Sequence, residues 1–471
     1  MLDAALLDRL IKAYDVRGVV PDDLSPEIAR LVGAAFVRVL GVGRGDGGPG
    51  AVVVGRDMRP SGPELVAAFS DGVTSQGVDV VDIGLASTDE LYFAAGSLEL
   101  PGAMFTASHN PAQYNGIKLC RTGAAPVGQD TGLSEIRELV LAWSATGLPA
   151  YDGAVGTVSH RDLLADYAAF LNRLVPLGGG RHLDVVVDAG NGMGGHTVPA
   201  VLAGLPLSIT PLYFELDGTF PNHEANPIEP ANLRDLQAKV LETGADLGLA
   251  FDGDADRCFV VDERGAIVNP STLTALIAVR ELAKDPGATI IHNLITSVAV
   301  PEIVREHGGV PVRTRVGHSF IKATMAETGA VFGGEHSGHF YFRDFWRADS
   351  GMLAALHTLA ALGETPPGTT LSSLLAQYTR YASSGEINTK VDDQTAVLEQ
   401  ITATYGGRDG VTLDGLDGLT VTGGTDDRRW WFNVRGSNTE PLLRLNVEGA
   451  DDALMATVRD ETLAIIRGGA A

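Results

Sequence analysis

Three times along the chain, an apolar run that reads as a strand is followed by a short loop and then by apolar positions at helical spacing. The stretches are "GAVVVGRDMRPSGPELVAAF" from Gly50, "LDVVVDAGNGMGGHTVPAVLAG" from Leu183 and "ATIIHNLITSVAVPEIVREHG" from Ala288. A second strand-like run follows each one: "GVDVVDIG", "LSITPLYF" and "GVPVRTRVG". Strand, helix and strand in that order predict partly parallel pairing, and the recurrence predicts three similar α/β domains with mixed sheets. The tail breaks the pattern. After "QYTRYASSGEINTKVDD" comes a helix candidate, "QTAVLEQITATYG", then three short strand-like runs and a last helix from Asp452. That order predicts an α+β domain with an antiparallel sheet. The expected domains are residues 1–152, 153–266, 267–377 and 378–471.

Composition narrows the class. A chain of 471 residues, 45% hydrophobic and 20% charged, has material for several cores. Its formal net charge of −24 argues against nucleic acid or an acidic membrane surface as partner. No apolar run approaches the ~18 residues of a membrane span, and Asp3 and Asp8 interrupt what would be a signal peptide's apolar region. A cytoplasmic protein is therefore expected. Cys120 and Cys258 are too few for a disulfide framework and have no metal-type spacing.

Candidate chemistry sits in the loops. In "GLAFDGDADRCFVVDERG", Asp252, Asp254 and Asp256 alternate with small residues at the end of an apolar strand. Three carboxylates that close are mutually costly unless a cation neutralises them, and hard divalent ions take such oxygen ligands. An EF-hand loop is excluded, because Arg257 stands where that loop needs glycine and "CFVV" continues as a strand. "GNGMGG", Gly190 to Gly195, has dinucleotide-binding spacing, but tight strand-to-helix packing explains it equally well. "VFGGEHSGHFYF" presents Glu335, Ser337 and His339 at alternate positions, donors and acceptors suited to neighbouring hydroxyls. "NVRGSNTEPLLR" sets Arg435 and Arg444 around the turn Gly436, Ser437, Asn438, Thr439, a set suited to phosphate. "KAYDVRGVVP" adds Tyr14 and Arg17, and "RVGHSFIK" adds His318 and Lys322.

With "TASHNPAQYNGIK", Thr106 to Lys118, these loops resemble the signature loops of the α-D-phosphohexomutase family, in order and roughly at its spacing. The resemblance covers essentially the whole chain and is greatest to the phosphomannomutase/phosphoglucomutase branch. It implies four domains around a central cleft and an isomerase that moves phosphate between O6 and O1 of mannose or glucose. By the same resemblance, Ser108 is expected as a phosphoserine and Mg²⁺ on Ser108, Asp252, Asp254 and Asp256. A hexose 1,6-bisphosphate is the implied intermediate. His109 and Lys118 are expected in proton transfer, Lys118 only with a lowered pKa, and Arg257 beside the transferring group. Tyr14, Arg17, His318, Glu335, His336, Ser337, Gly338, His339, Arg435, Gly436, Ser437, Asn438, Thr439 and Arg444 are expected to bind substrate, with Glu335, Ser337 and His339 on the sugar hydroxyls and Arg435, Ser437, Asn438 and Thr439 on the distal phosphate.

The implied partner is a small sugar phosphate, with a monomer or homodimer as the assembly. One departure stands out: "HNLITSV" lacks the lysine that some relatives carry there, leaving Arg315 or His318 to contribute. The competing expectations are a phosphoglucosamine mutase, which often has glutamine at the position of His336, and an NAD-dependent dehydrogenase built on "GNGMGG".

Overall fold

A computed structural model of the chain describes residues 2–43, 50–436 and 442–468. The three apolar runs form the inner strands Ala51–Arg56, Leu183–Asp188 and Thr289–Asn293, each flanked on both sides by parallel partners. Every unit then repeats one path. A helix leads to the second strand (Asp79–Leu85, Leu207–Leu212, Val310–Thr314) and a second helix leads to the third (Gly102–Phe105, Leu247–Phe251, Phe332–Gly334). A hairpin then turns back antiparallel as Tyr114–Cys120, Cys258–Asp262 or Phe340–Phe342. The four shared strands lie in the spatial order fourth, third, first, second in all three sheets.

The shared path fixes where the loops go. "TASHNPAQ", "DGDADR" and "EHSGH" are the same element three times, the hairpin at the carboxyl end of the third strand. Ligand sites in open α/β sheets collect at the carboxyl ends of the parallel strands. The first sheet continues past residue 152, because Val158–His160 pairs in parallel with Asp79–Leu85 as its edge. The tail is a five-stranded sheet, antiparallel throughout, with its own core around Tyr405, Phe432 and Leu445.

Two helices lie at the centre of the first three units. Gly351–Gly363 is buried at every residue, as expected of "GMLAALHTLAALG", which is apolar all round. Thr88–Ser97 is buried from Thr88 through Gly96, although its first turn carries Asp89 and Glu90. A single apolar cluster runs through these units, from Val53 and Phe93 to Tyr167, Phe251 and Phe332. Among the described residues, no helix is long and apolar enough to cross a membrane, and both cysteines are buried free thiols.

Candidate active site

Ser108 stands at the turn of the first hairpin in the left-handed conformation, φ 50°, and is 5% exposed. A non-glycine residue held there is strained, and the surroundings maintain it. Thr106 Oγ1 accepts the Ser108 N–H at 2.8 Å. From below, Arg59 donates to the carbonyls of Ser108 (2.9 Å), Asn110 (2.7 Å), Pro111 (2.9 Å) and Tyr114 (2.8 Å). Arg59 is fully buried against Asp57, and burial pushes the Asp57 carboxyl up and the Arg59 guanidinium down from their usual ranges. That pair is retained against a desolvation cost, which fits a framing role for the loop better than a stabilising one.

The aspartate loop, Asp252 to Arg257 and the candidate metal loop, meets the serine loop at contact distance. A Cβ on Gly253 would stand 2.4 Å from the Ser108 carbonyl oxygen, so only glycine permits the approach. Asp252, Asp254 and Asp256 are all buried and each offers an oxygen within 4.8 Å of the others. Their convergence comes from a turn with Ala255 at φ 59°, and not from strand alternation as the spacing predicts, because the strand ends at Phe251. Ser108 Oγ donates to Asp252 Oδ2 at 2.8 Å. Arg257 binds that oxygen through Nε at 2.8 Å and reaches Ser108 Oγ at 3.3 Å.

Lys118 donates to Asp254 Oδ2 (2.7 Å) and Asp256 Oδ2 (2.6 Å). Burial opposes its charge, but Asp254 and Asp256 outweigh burial and hold the ammonium well above its ordinary pKa. Proton transfer by Lys118 calls for a lowered pKa, and in this structure Asp254 and Asp256 shift it the other way. Burial likewise opposes ionisation of Asp254, and Lys118 overcomes it, holding that carboxyl below its usual range. Asp252 moves the other way, raised to about 7 by burial, against Arg257 and with the push of Asp256 and Asp254.

Three carboxylates thus share two cations, and the cluster is short of positive charge. Asp254 Oδ1 and Asp256 Oδ1 are buried with no hydrogen-bond partner among the described residues. Bare carboxylate oxygens beside a serine hydroxyl fit a hard divalent cation.

His109 lies beside Arg257 and Ser108. Burial, then Arg257 and Arg17, push its imidazole well below the ordinary histidine pKa, and Arg257 donates to its Nδ1. It is a neutral acceptor already engaged by protein. Arg17 donates to Asn110 Oδ1 at 2.7 Å, beside the same loop, and Tyr14 packs its hydroxyl against Gly317 of the third unit.

In the third hairpin, Glu335 to His339 form a closed turn, with the Glu335 N–H donating to the His339 carbonyl at 3.0 Å. The alternating row read from the sequence is therefore a turn, because the strand stops at Gly334. Glu335 is buried and held by Asn293 (3.2 Å), the Gly317 N–H (3.2 Å) and Tyr341 (2.7 Å). Ser337 Oγ lies 3.0 Å from His339 Nδ1, and Gly338 at φ 86° presses on the Phe259 ring. Backbone pairing joins this turn to the metal loop, His339 to Arg257. His339 Nε2 lies 3.7 Å from Asp256 and 3.9 Å from Asp349, and Asp349 pairs at 2.7 Å with buried Lys322.

His336 faces elsewhere, into a small cavity with Ser383, Trp431 and Asn446 of the tail. Arg315 donates to the Leu416 carbonyl of the tail at 3.0 Å, so docking occupies it.

In the tail, Arg435 and Arg444 are cross-strand neighbours that share one carboxylate, Glu386, at 3.5 and 3.2 Å, and the buried Nε of each has no hydrogen-bond partner among the described residues. Two guanidiniums on one carboxylate leave a site for an anion. Gly436 ends that strand against Gln394. Ser437, Asn438 and Thr439, and the side chain of His318, lie outside the described residues.

The glycine run has a packing cause. A Cβ on Gly192 would stand 2.7 Å from the Gly253 carbonyl, and one on Gly195 would stand 2.2 Å from that of Phe214, so the turn is built to back the metal loop. Sequence reasoning passed over Arg59, Thr88, Asp89, Asn293 and Asp349. Only Arg59 carried a signal, in the repeated charges of "GRDMRPSG".

Comparison with known proteins agrees with this arrangement. The descriptions "Phosphoglucomutase/phosphomannomutase, alpha/beta/alpha domain" I, II and III match residues 8–146, 165–265 and 269–381, and the C-terminal domain of the same family matches 386–465. The chain belongs to the phosphoglucomutase/phosphomannomutase family. It is a phosphohexomutase, an isomerase by reaction class. A protein described as phosphohexose mutases from Xanthomonas campestris pv. campestris is 42% identical over 97% of this chain and 99% of its own length. An Escherichia coli phosphomannomutase is 39% identical over 97% and 98%. The crystal structure of a phosphoglucomutase/phosphomannomutase family protein from Burkholderia thailandensis superposes with a TM-score of 0.84 at 33% identity, covering 100% of this chain and 99% of that one. The glycine run Gly190 to Gly195, on which a dehydrogenase reading would rest, lies inside the match to domain II of this family.

Proposed function

We propose that the protein interconverts hexose 6-phosphate and hexose 1-phosphate, of mannose or glucose, by passing a phosphoryl group through Ser108. The observation that carries this reading is the geometry of that hydroxyl. Ser108 Oγ is held in a left-handed turn between Asp252 and Arg257, beside two carboxylate oxygens that accept no hydrogen bond among the described residues. Phosphoryl transfer depends on in-line positioning and charge stabilisation more than on covalent chemistry, and this arrangement suits both.

Phosphorylated Ser108 gives its phosphoryl group to the free hydroxyl of the bound monophosphate, producing a hexose 1,6-bisphosphate. The bisphosphate turns in the cleft and returns its other phosphoryl group to Ser108. Asp252, Asp254 and Asp256 would hold Mg²⁺, which supplies Lewis-acid stabilisation of the transferring group when bound. Arg257 lies against Ser108 Oγ, where it neutralises charge on the same group. Lys118 donates to Asp254 and Asp256 and keeps both oriented. His339, partly exposed between Asp256, Asp349 and Glu335, is the imidazole placed to take the proton of the accepting hydroxyl. Arg435 and Arg444 anchor the phosphate that is not reacting.

Assaying mannose, glucose and glucosamine phosphates side by side tests the substrate assignment. A strong preference for glucosamine 6-phosphate would move the protein to the phosphoglucosamine mutase activity, and inertness toward all three would remove the proposal.

A further inference from the structure

Two carboxylates stand at the start of an otherwise enclosed helix. Asp89 and Glu90 lie in the first turn of Thr88–Ser97 and are each 1% exposed. Asp89 is a meeting point of the first three units. It accepts from Ser87 beside it, from Tyr167 Oη on helix Leu164–Leu174 at 2.7 Å, and from Ser350 Oγ, the cap of helix Gly351–Gly363, at 2.6 Å.

The residue between Ser87 and Asp89 touches the metal loop. Thr88 Oγ1 donates to Asp254 Oδ2 at 2.6 Å, and the Thr88 N–H donates to the Asp254 carbonyl at 3.0 Å. On the other side, Ser350 precedes Gly351, where a Cβ would stand 2.7 Å from the Arg257 backbone. Asp89 therefore ties together two contacts that bracket the metal loop.

We propose that Asp89 is a positioning residue of the metal site: by joining Ser87, Tyr167 and Ser350 it fixes the first turn of helix Thr88–Ser97 and, through Thr88, decides which oxygen of Asp254 is left for a cation. This inference rests on the metal-site reading above. The two oxygens of a carboxylate are equivalent until one is engaged. Thr88 and Lys118 both engage Asp254 Oδ2, and Oδ1 stays bare. If the first turn shifts, Thr88 no longer holds Oδ2, Asp254 can rotate, and the bare oxygen leaves the cluster. Outer-shell partners of this kind typically govern about 10–100-fold in metal affinity.

The test is Mg²⁺ binding to the full chain by isothermal titration calorimetry, without sugar phosphate, with folding checked by circular dichroism. Asp89→Ala and Thr88→Val are each expected to weaken Mg²⁺ binding about tenfold, and the double variant no more than the larger single loss, since both act on one contact. Asp89→Asn, which keeps the shape and still accepts from part of the trio, is expected to weaken binding about threefold. At saturating Mg²⁺, KM for the sugar phosphate stays within about twofold, a split that general loosening of the fold would not produce. If Asp89→Ala does not fold, the cycle of Asp89→Asn with Thr88→Val decides instead. Folded Asp89 variants with wild-type Mg²⁺ affinity, or losses that add in the double variant, overturn the inference alone. A wild-type chain that binds no Mg²⁺ overturns the metal-site reading and the inference with it.

Discussion

Replacing Lys118 with methionine shortens the side chain by one atom and removes one charge from the centre of the site. In the structure that ammonium lies 2.7 Å from Asp254 and 2.6 Å from Asp256, both carboxylates being buried. Removing one partner of a buried ion pair costs on the order of 3–5 kcal/mol, because the remaining charge is left without compensation. A divalent cation compensates the same two carboxylates. Lys118→Met is therefore expected to lose about 3–5 kcal/mol in a chelator and roughly 1–2 kcal/mol in saturating Mg²⁺, since ligand binding to the folded state alone adds stability. The raised Lys118 pKa sets the pH behaviour. A lysine raised on folding contributes fully below its unfolded value, so the gap in chelator should be undiminished across neutral pH and shrink only in strong alkali. Urea unfolding of both proteins, with Mg²⁺ and with chelator, measures these quantities. Equal losses under the two conditions, or no loss in chelator, would refute the argument that Lys118 and the metal neutralise the same carboxylates.

Other consequences follow from single residues. Arg59→Lys keeps the charge but cannot serve four carbonyls, and each one left unpaired costs about 1–3 kcal/mol; the urea midpoint should drop and turnover fall with it, and a variant of wild-type stability and rate would contradict the framing role. Glu90 is raised to about 8 by burial and by Asp89, so its penalty is absent at low pH and grows as pH climbs from its unfolded value toward 8. Glu90→Gln should therefore gain melting temperature over wild type at pH 8 and little at pH 5, and a difference independent of pH would count against a buried ionising group. Arg435→Ala should raise KM for sugar phosphates more than it lowers kcat, by about 2 kcal/mol of lost charge-assisted bonding, and an unchanged KM would remove Arg435 from the phosphate anchor.

Much of the architecture was legible because it is written in short periods. The three apolar runs became the inner strands of three sheets, and "TLDGLDGLTVTGG" and "RRWWFNVRG" became neighbouring antiparallel strands. The loops were legible for the same reason, since Asp252, Asp254 and Asp256, or Arg435 and Arg444, carry their chemistry within a few residues. What escaped depends on contact between units. Asp89 and Glu90 look like an ordinary acidic first turn until Tyr167 and Ser350 from other units close over them. Arg59 sits in a strand-to-helix loop, and only the folded hairpin brings four carbonyls to it. The direction of the Lys118 shift was not legible because spacing along the chain does not reveal that two carboxylates from the second unit will meet it. Edge strand Val158–His160 was missed because its register partner, Asp79–Leu85, is distant in sequence.

The central claim is that Ser108 carries the phosphoryl group. The most direct measurement is to incubate the purified protein with hexose 1,6-bisphosphate labelled in its phosphates and to map the label by peptide mass spectrometry, with Ser108→Ala alongside. One phosphoryl group per chain is expected, on the peptide containing Ser108, and it should leave the protein when hexose monophosphate is added; Ser108→Ala should take up none and lose turnover. Mutase turnover with no phosphate at Ser108, or an active Ser108→Ala variant, would contradict the account.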